Sequence, residues 1–127
     1  IKKKYNNFQK KYNIIIYTKD KELHAIVYSI MIYENYNRPY LIRMFENVKF
    51  LFSGEATLGI MQVNTKKIIG DKTSVKIGYK MLRERYLQKK KILIDNEELV
   101  NDVISSYNFG DKYLNEVKYI KGILEKI

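Results

Sequence analysis

The sequence predicts a mainly α-helical domain with at most a small β-hairpin, and three features lead there. Structure breakers are sparse: the 127 residues include six glycines and one proline, Pro39. So little punctuation favours long helices over many short strands. Apolar residues recur at three- and four-residue steps through most of the chain, which is the period of a helix face. Hydrophobic residues make up 46 % of the composition, a globular and not a disordered balance. The length suits one domain, able to bury roughly two thirds of the surface its unfolded chain exposes. No repeat and no Ser/Gly/Pro-rich linker divides it, so residues 1–127 are read as a single unit.

Residues 4–16 carry Tyr5, Phe8, Tyr12 and Ile15/Ile16 at helical spacing, with lysines on the other face. Asp20 is placed to cap a second helix, and Glu22 in its first turn suits the helix dipole. That helix is predicted over 21–34. It is apolar nearly all round, which marks a buried central helix. Asn35, Asn37 and Pro39 end it. Pro39 then opens a third helix, with Leu41, Ile42, Phe45, Val48 and Leu51/Phe52 following at helical steps. Ser53–Thr57 reads as a turn around Gly54. "LGIMQVN" reads as an apolar loop or short helix and 65–73 as a loop, with room for a hairpin between 48 and 70. Thr73 or Ser74 is expected to cap a helix reaching Lys89, with Val75, Tyr79, Leu82 and Tyr86 on one face. Asp95 and Glu98 form a capping-box-like start to a helix ending near Tyr107. Phe109-Gly110 breaks it. A last helix is predicted from Asp111 to Glu125, with Leu114, Val117, Ile120 and Leu124 inward.

The chain has no cysteine, which excludes disulfides and thiolate metal sites. No apolar run is long enough to span a bilayer. The chain opens Ile-Lys-Lys-Lys, from which a processed form is expected, with any signal segment absent from this chain. Lys plus Arg number 24 against 14 Asp plus Glu, a net charge of +10. Richness in Lys, Ile, Asn and Tyr fits an AT-rich coding bias and explains Lys in place of Arg. It explains less well the excess of cations over acids. That excess implies a polyanionic partner: nucleic acid, an anionic membrane or an anionic cell wall.

One acid stands out. Between Ala25 and Tyr33 only Ser29 is polar, and the stripe Leu23, Ile26, Val27, Ile30 and Met31 continues by three or four residues onto Glu34. An isolated ionised carboxylate in apolar surroundings is costly. Either Glu34 finds a cation, with Arg38 or Arg43 at hand, or desolvation favours its neutral form. It could also rotate out to solvent. A glutamic acid that keeps its proton near neutral pH is a general acid. Downstream, "SYNFG" has the same design: Val100, Val103 and Ile104 lead to Tyr107 at a helix end, followed by the amide of Asn108. Taken alone, this is also the pattern of a buried tyrosine before a helix cap.

In order, "IVYSIMIYE", "TLGIMQVN" and "SSYNFGDKYLNEV" resemble the lysozyme-like lytic transglycosylases and their goose-type lysozyme relatives. The family pattern is a helix ending in a catalytic Glu, then a Gly-Leu-Met-Gln-Val-like segment, then Ala-Tyr-Asn-x-Gly. The matching positions are Glu34; Gly59, Ile60, Met61, Gln62 and Val63; and Tyr107, Asn108 and Gly110. The resemblance covers about residues 23–120, and the middle motif is fairly specific. Asn35 stands where many members carry Ser, Ile60 replaces the commoner Leu, and the stretch from Asn37 to Phe52 is long.

The resemblance implies a lysozyme-like fold with any hairpin beside the active-site cleft. It implies cleavage of the β-1,4 bond between N-acetylmuramic acid and N-acetylglucosamine in peptidoglycan, with Glu34 as acid and then base, closing a 1,6-anhydro ring. Met61 and Gln62 with Ile60 would line the sugar groove, and Gly59 would let backbone approach the ligand. Thr57 would offer a hydroxyl from across the groove. Tyr107 would hydrogen-bond near Glu34 or the N-acetyl group, with Asn108 beside it. A hydrolytic muramidase instead needs a second acid, about 6.5–9.5 Å from the first in an inverting enzyme. Glu55 is the candidate, and also reads as an exposed turn residue; Glu46 reads as paired on its helix. The implied partners are peptidoglycan strands and, by charge, anionic wall polymers. The expected setting is extracytoplasmic, as a monomer without cofactor or metal.

His24, the lone histidine, lies three turns from Glu34 and reads as structural or exposed. "IIGDKTSVKIG" lacks the arrangement of a phosphate loop. "QKKKI" at 88–92 reads as a solvated helix end. Lysines interleaved with 12 tyrosines also suit a single-stranded nucleic-acid module, a reading that leaves Glu34 without a reason. A third possibility is a catalytically inert wall-binding module on the same scaffold.

Overall fold

A computed structural model describes residues 1–37, 56–58, 61, 63–65, 70–93 and 95–127. Among these it is mainly α-helical. The helices are α1 (Lys2–Tyr12), α2 (Lys21–Asn37), α3 (Asp71–Lys90), α4 (Asn96–Tyr107) and α5 (Asp111–Leu124), with strands β1 (Ala56–Leu58) and β2 (Val63–Thr65) between α2 and α3. The helix predicted from Pro39 to Phe52, the turn around Gly54, and Glu46 lie outside the described residues.

α2 is the centre, as its all-round apolar sequence requires. Every residue from Ala25 to Ile32 is buried, and the helix touches α1, α3, α4 and, most extensively, α5. Within the buried stretch from Ala25 to Ile32, Ser29 donates to the Ala25 carbonyl at 2.5 Å, the local bond that lets a hydroxyl sit in a core. Asp20 caps the helix as predicted: one carboxylate oxygen accepts from the backbone N–H groups of Glu22 at 3.0 Å and Leu23 at 3.2 Å. Its other oxygen accepts from the Tyr86 hydroxyl at 2.9 Å and from Lys90 at 3.1 Å. Lys90, read from the sequence as part of a solvated end, therefore ties α3 to the start of α2.

Several boundaries differ from the sequence reading. α2 runs on to Asn37, because Asn at a helix end is tolerated until Pro39 forbids continuation. α1 stops at Tyr12, and Ile14 is exposed while Ile16 turns back into the core. α3 begins at Asp71 with Gly70 at its cap position, so neither Thr73 nor Ser74 caps it. Ser74 lies inside the helix and is fully buried. The segment read as a loop or short helix instead has strands on its flanks: β1 and β2 pair antiparallel, Thr57 opposite Asn64 and Leu58 opposite Val63, with Met61 in the connecting turn.

The last two helices follow the sequence closely. Asp95 caps α4 by accepting from the Glu97 N–H at 2.9 Å. α4 ends at Tyr107, and Gly110, at φ 141°, opens α5 in a conformation that side-chain-bearing residues rarely adopt. The core is continuous through Tyr12, Met31, Met61, Tyr86, Ile104 and Val117.

Candidate active site

Glu34 sits in the last turn of α2 and is 6 % exposed. A helix C-terminus carries partial negative charge, and it is there that the Glu34 carboxyl is buried. Two tyrosines lie near it. Tyr107 comes from the end of α4 and Tyr113 from the first turn of α5. Burial raises both hydroxyl pKa values, and a charge on Glu34 raises them further. The Tyr113 hydroxyl is buried and faces the Glu34 carboxyl without a well-formed hydrogen bond to it. Its ring is packed edge-on against Tyr33, centroids 5.0 Å apart at 84°.

An open cleft of about 340 Å³ lies over this group, lined by Tyr33, Glu34, Asn108, Gly110, Lys112 and Tyr113 with the exposed ring of Phe109. The structure thus brings Glu34 and Asn108 to one cavity, with Tyr107 close behind. A buried carboxyl at the wall of a water-accessible cleft, with an amide and an ammonium group at its rim, can deliver a proton to a bound oxygen.

The remaining expected site residues divide. Met61 is fully buried, so its side chain is a core anchor and not part of a groove lining; the aliphatic thioether fits the gap left by Gly78. Its backbone is held on both sides: the N–H donates to Ser74 Oγ at 2.9 Å, and the carbonyl accepts from the Tyr107 hydroxyl at 2.5 Å. The Tyr107 hydroxyl is accordingly directed to the β1–β2 turn, where the resemblance had implied Glu34 or an N-acetyl group. Thr57 belongs to β1. The Thr57 side chain and the whole of Gly59, Ile60, Gln62 and Glu55 lie outside the described residues, as do Arg38 and Arg43, the expected cationic partners of Glu34.

Three residues in this arrangement were not picked out from the sequence. Gly78 faces the Met61 turn: a Cβ there would lie 2.8 Å from the Tyr107 hydroxyl and 3.0 Å from Met61 Cβ. A glycine inside an otherwise strong helical pattern was the available signal. Ser74 gave none, since serine before an apolar run reads as a cap. Tyr113 stands four, seven and eleven residues before Val117, Ile120 and Leu124, on their stripe, and was legible as an inward residue.

A larger cavity, about 580 Å³, lies at the opposite end of α2 and includes Tyr5, Gln9, Glu22, His24 and Glu125. Its acids are neutralised by Lys121, which pairs with Glu22 and, at 2.6 Å, with Glu125. His24 shares a hydrogen bond with the Tyr5 hydroxyl at 2.9 Å, and burial lowers its pKa. It serves the α1–α2 contact. Among the described residues no group of His, Asp and Glu is placed to hold a metal ion. No protein-family model, no curated protein and no solved structure matches the chain, so the functional reading has to stand on the buried Glu34 and its cleft.

Proposed function

We propose that the chain is a peptidoglycan-cleaving enzyme with a lysozyme-like fold, acting as a lytic transglycosylase on the β-1,4 bond between N-acetylmuramic acid and N-acetylglucosamine. One observation carries the reading: a glutamate buried at the C-terminal end of the central helix, flanked by two phenols and opening on a cleft. The order of the three sequence motifs supports it.

In this reading Glu34 enters the cycle protonated and gives its proton to the glycosidic oxygen as the bond to the muramyl C1 breaks. Charge of oxocarbenium character develops at C1. The muramyl C6 hydroxyl then attacks C1, and its proton passes to the Glu34 carboxylate. A 1,6-anhydro ring forms, no water is consumed, and the acid is regenerated. One carboxyl performs both transfers, so the scheme differs from that of two-carboxylate glycosidases. Asn108 and Lys112 would hold polar groups of the strand at the rim, and Tyr107 would fix the turn that carries Met61. The setting is extracytoplasmic, where glycan strands and anionic wall polymers are met.

Mass spectrometry of digested peptidoglycan tests the proposal. Products lighter by one water per cleavage are expected. Reducing ends would make the enzyme a hydrolytic muramidase, for which Glu55 is the candidate second acid. Intact glycan after prolonged digestion would overturn the proposal.

A further inference from the structure

The cations of α3 fall into line. Lys72, Lys76, Lys80 and Arg83 follow one another at four, four and three residues. Residues at that spacing share one side of a helix, here over about 16 Å at 1.5 Å rise per residue. All four are exposed. The opposite side of α3 carries Ser74, Val75, Gly78 and Leu82, buried against the Met61 turn and the core, so the strip points away from the Glu34 cleft.

These four cations make no ion pair with any described residue, whereas Arg85, Lys90, Lys118 and Lys121 are each matched to a carboxylate. Glu84, the next acid along the helix, is exposed and forms no ion pair with them either. Like charges one turn apart repel, and a polyanion laid along the strip removes that repulsion. The segment before α2 lengthens the basic face. It runs beside α3, held by the Tyr79 hydroxyl on the Tyr17 carbonyl at 3.1 Å and by Tyr86 and Lys90 on Asp20, and it exposes Lys19.

We propose that this strip binds a linear polyphosphodiester attached to the cell wall, holding the enzyme on its substrate while the Glu34 cleft stays open. The choice of polymer rests on the peptidoglycan reading above. The chemistry of the strip separates it from the other polyanions. Single-stranded nucleic acid is held by successive exposed rings set among cations; the ring nearest the strip on α3, Tyr79, is half-buried with its hydroxyl bonded, which leaves the exposed ring of Tyr17 on the neighbouring segment without a second one in series beside it on α3. A membrane surface takes a helix whose apolar side is free to insert, and the apolar side of α3 is buried in the core.

The test is co-sedimentation in a Glu34→Gln background, so that binding is read without cleavage. The solids are sacculi that retain their polyphosphodiester and the same sacculi chemically stripped of it. A 20-nucleotide single-stranded DNA and phosphatidylglycerol vesicles serve as competitors. Binding to the unstripped sacculi is expected to exceed binding to the stripped ones at least tenfold. Its logarithm should fall with the logarithm of salt concentration at a slope of about three or four, set by the number of neutralised charges. The exposed-site variant Lys72→Gln/Lys76→Gln/Lys80→Gln/Arg83→Gln should lose that difference while keeping its thermal midpoint. The matched variant Lys2→Gln/Lys3→Gln/Lys10→Gln/Lys11→Gln, with the same change in net charge, should retain it. Equal binding to both kinds of sacculi, equal loss in the two variants, or full displacement by the DNA or the vesicles would each overturn the proposal. Cleavage of soluble glycan fragments by the strip variant with Glu34 intact is read separately. Absence of cleavage there and in wild type would count against the peptidoglycan reading, and leaves the binding result to judge the strip.

Discussion

At Gly78 the packing leaves no room for a side chain. Adding a single methyl group there puts a carbon 2.8 Å from the Tyr107 hydroxyl and 3.0 Å from Met61 Cβ, inside any tolerable contact. Gly78→Ala should therefore gain helix propensity and still lose stability, by about 1–3 kcal/mol for overpacking; a urea titration reads the sign. Tyr107→Phe tests the other side of the same junction. It keeps the ring and removes the donor to the Met61 carbonyl. A buried acceptor left without its partner costs about 1–3 kcal/mol, so the urea midpoint should fall while the fold survives. Activity should fall with it, because the turn carrying Met61 would no longer be fixed relative to α4. Each effect arises from contacts between residues far apart in the chain, and none of it can be read from spacing along the chain.

At the scale of elements, Asp20 joins three of them. Its carboxylate caps α2 and receives Tyr86 and Lys90 from α3. Burial alone would push its pKa up. Hydrogen bonds from Lys90, the Leu23 N–H and Tyr86, with the Lys90 charge, outweigh that and hold it below the ordinary carboxylate range. A depressed folded-state pKa means this stabilisation is complete above the unfolded value near 4 and is lost as pH falls through the folded value. Asp20→Ala should cost about 1–2 kcal/mol as a lost cap, plus the cost of leaving Tyr86 without its acceptor. Thermal melts at pH 7 should show the difference, and melts well below pH 4 should show less of it. The cap itself was legible, because Asp-Lys-Glu before an apolar run is a local signal. The burial of α2 was legible for the same reason: its sequence leaves no polar face. Ser74 was misread because its partner, the Met61 N–H, lies thirteen residues away, and a local rule sees only the cap that serine usually makes. The β1–β2 pair was readable only as a possibility, since two three-residue strands carry too little alternation to declare themselves.

Across the whole molecule, tyrosines do much of the filling. Tyr12, Tyr28, Tyr86 and Tyr113 are buried, and buried phenols make the fold sensitive to alkali. Burial, with a smaller contribution from Tyr5, raises the Tyr28 pKa to about 12, and burial raises Tyr86, Tyr107 and Tyr113 as well. Groups whose pKa is raised on folding stabilise the folded state fully below the unfolded value of about 10, and that contribution disappears as pH climbs through the folded value. Urea midpoints should stay level up to about pH 10 and then drop steeply toward pH 12. Tyr28→Phe should flatten part of that drop. The helical architecture and the inward Glu34 were both visible in the sequence, since each follows from periodicity. The convergence of α2, α4 and α5 on one cleft was not, because it depends on how helices far apart in the chain pack.

The most direct test of the account is the clearing of purified sacculi by wild type and Glu34→Gln, run beside thermal melts of both proteins. The variant is close in shape, so its midpoint should stay near that of wild type. Removing a general acid should slow clearing by at least about a hundredfold. A folded Glu34→Gln protein that clears sacculi at the wild-type rate would contradict the central claim.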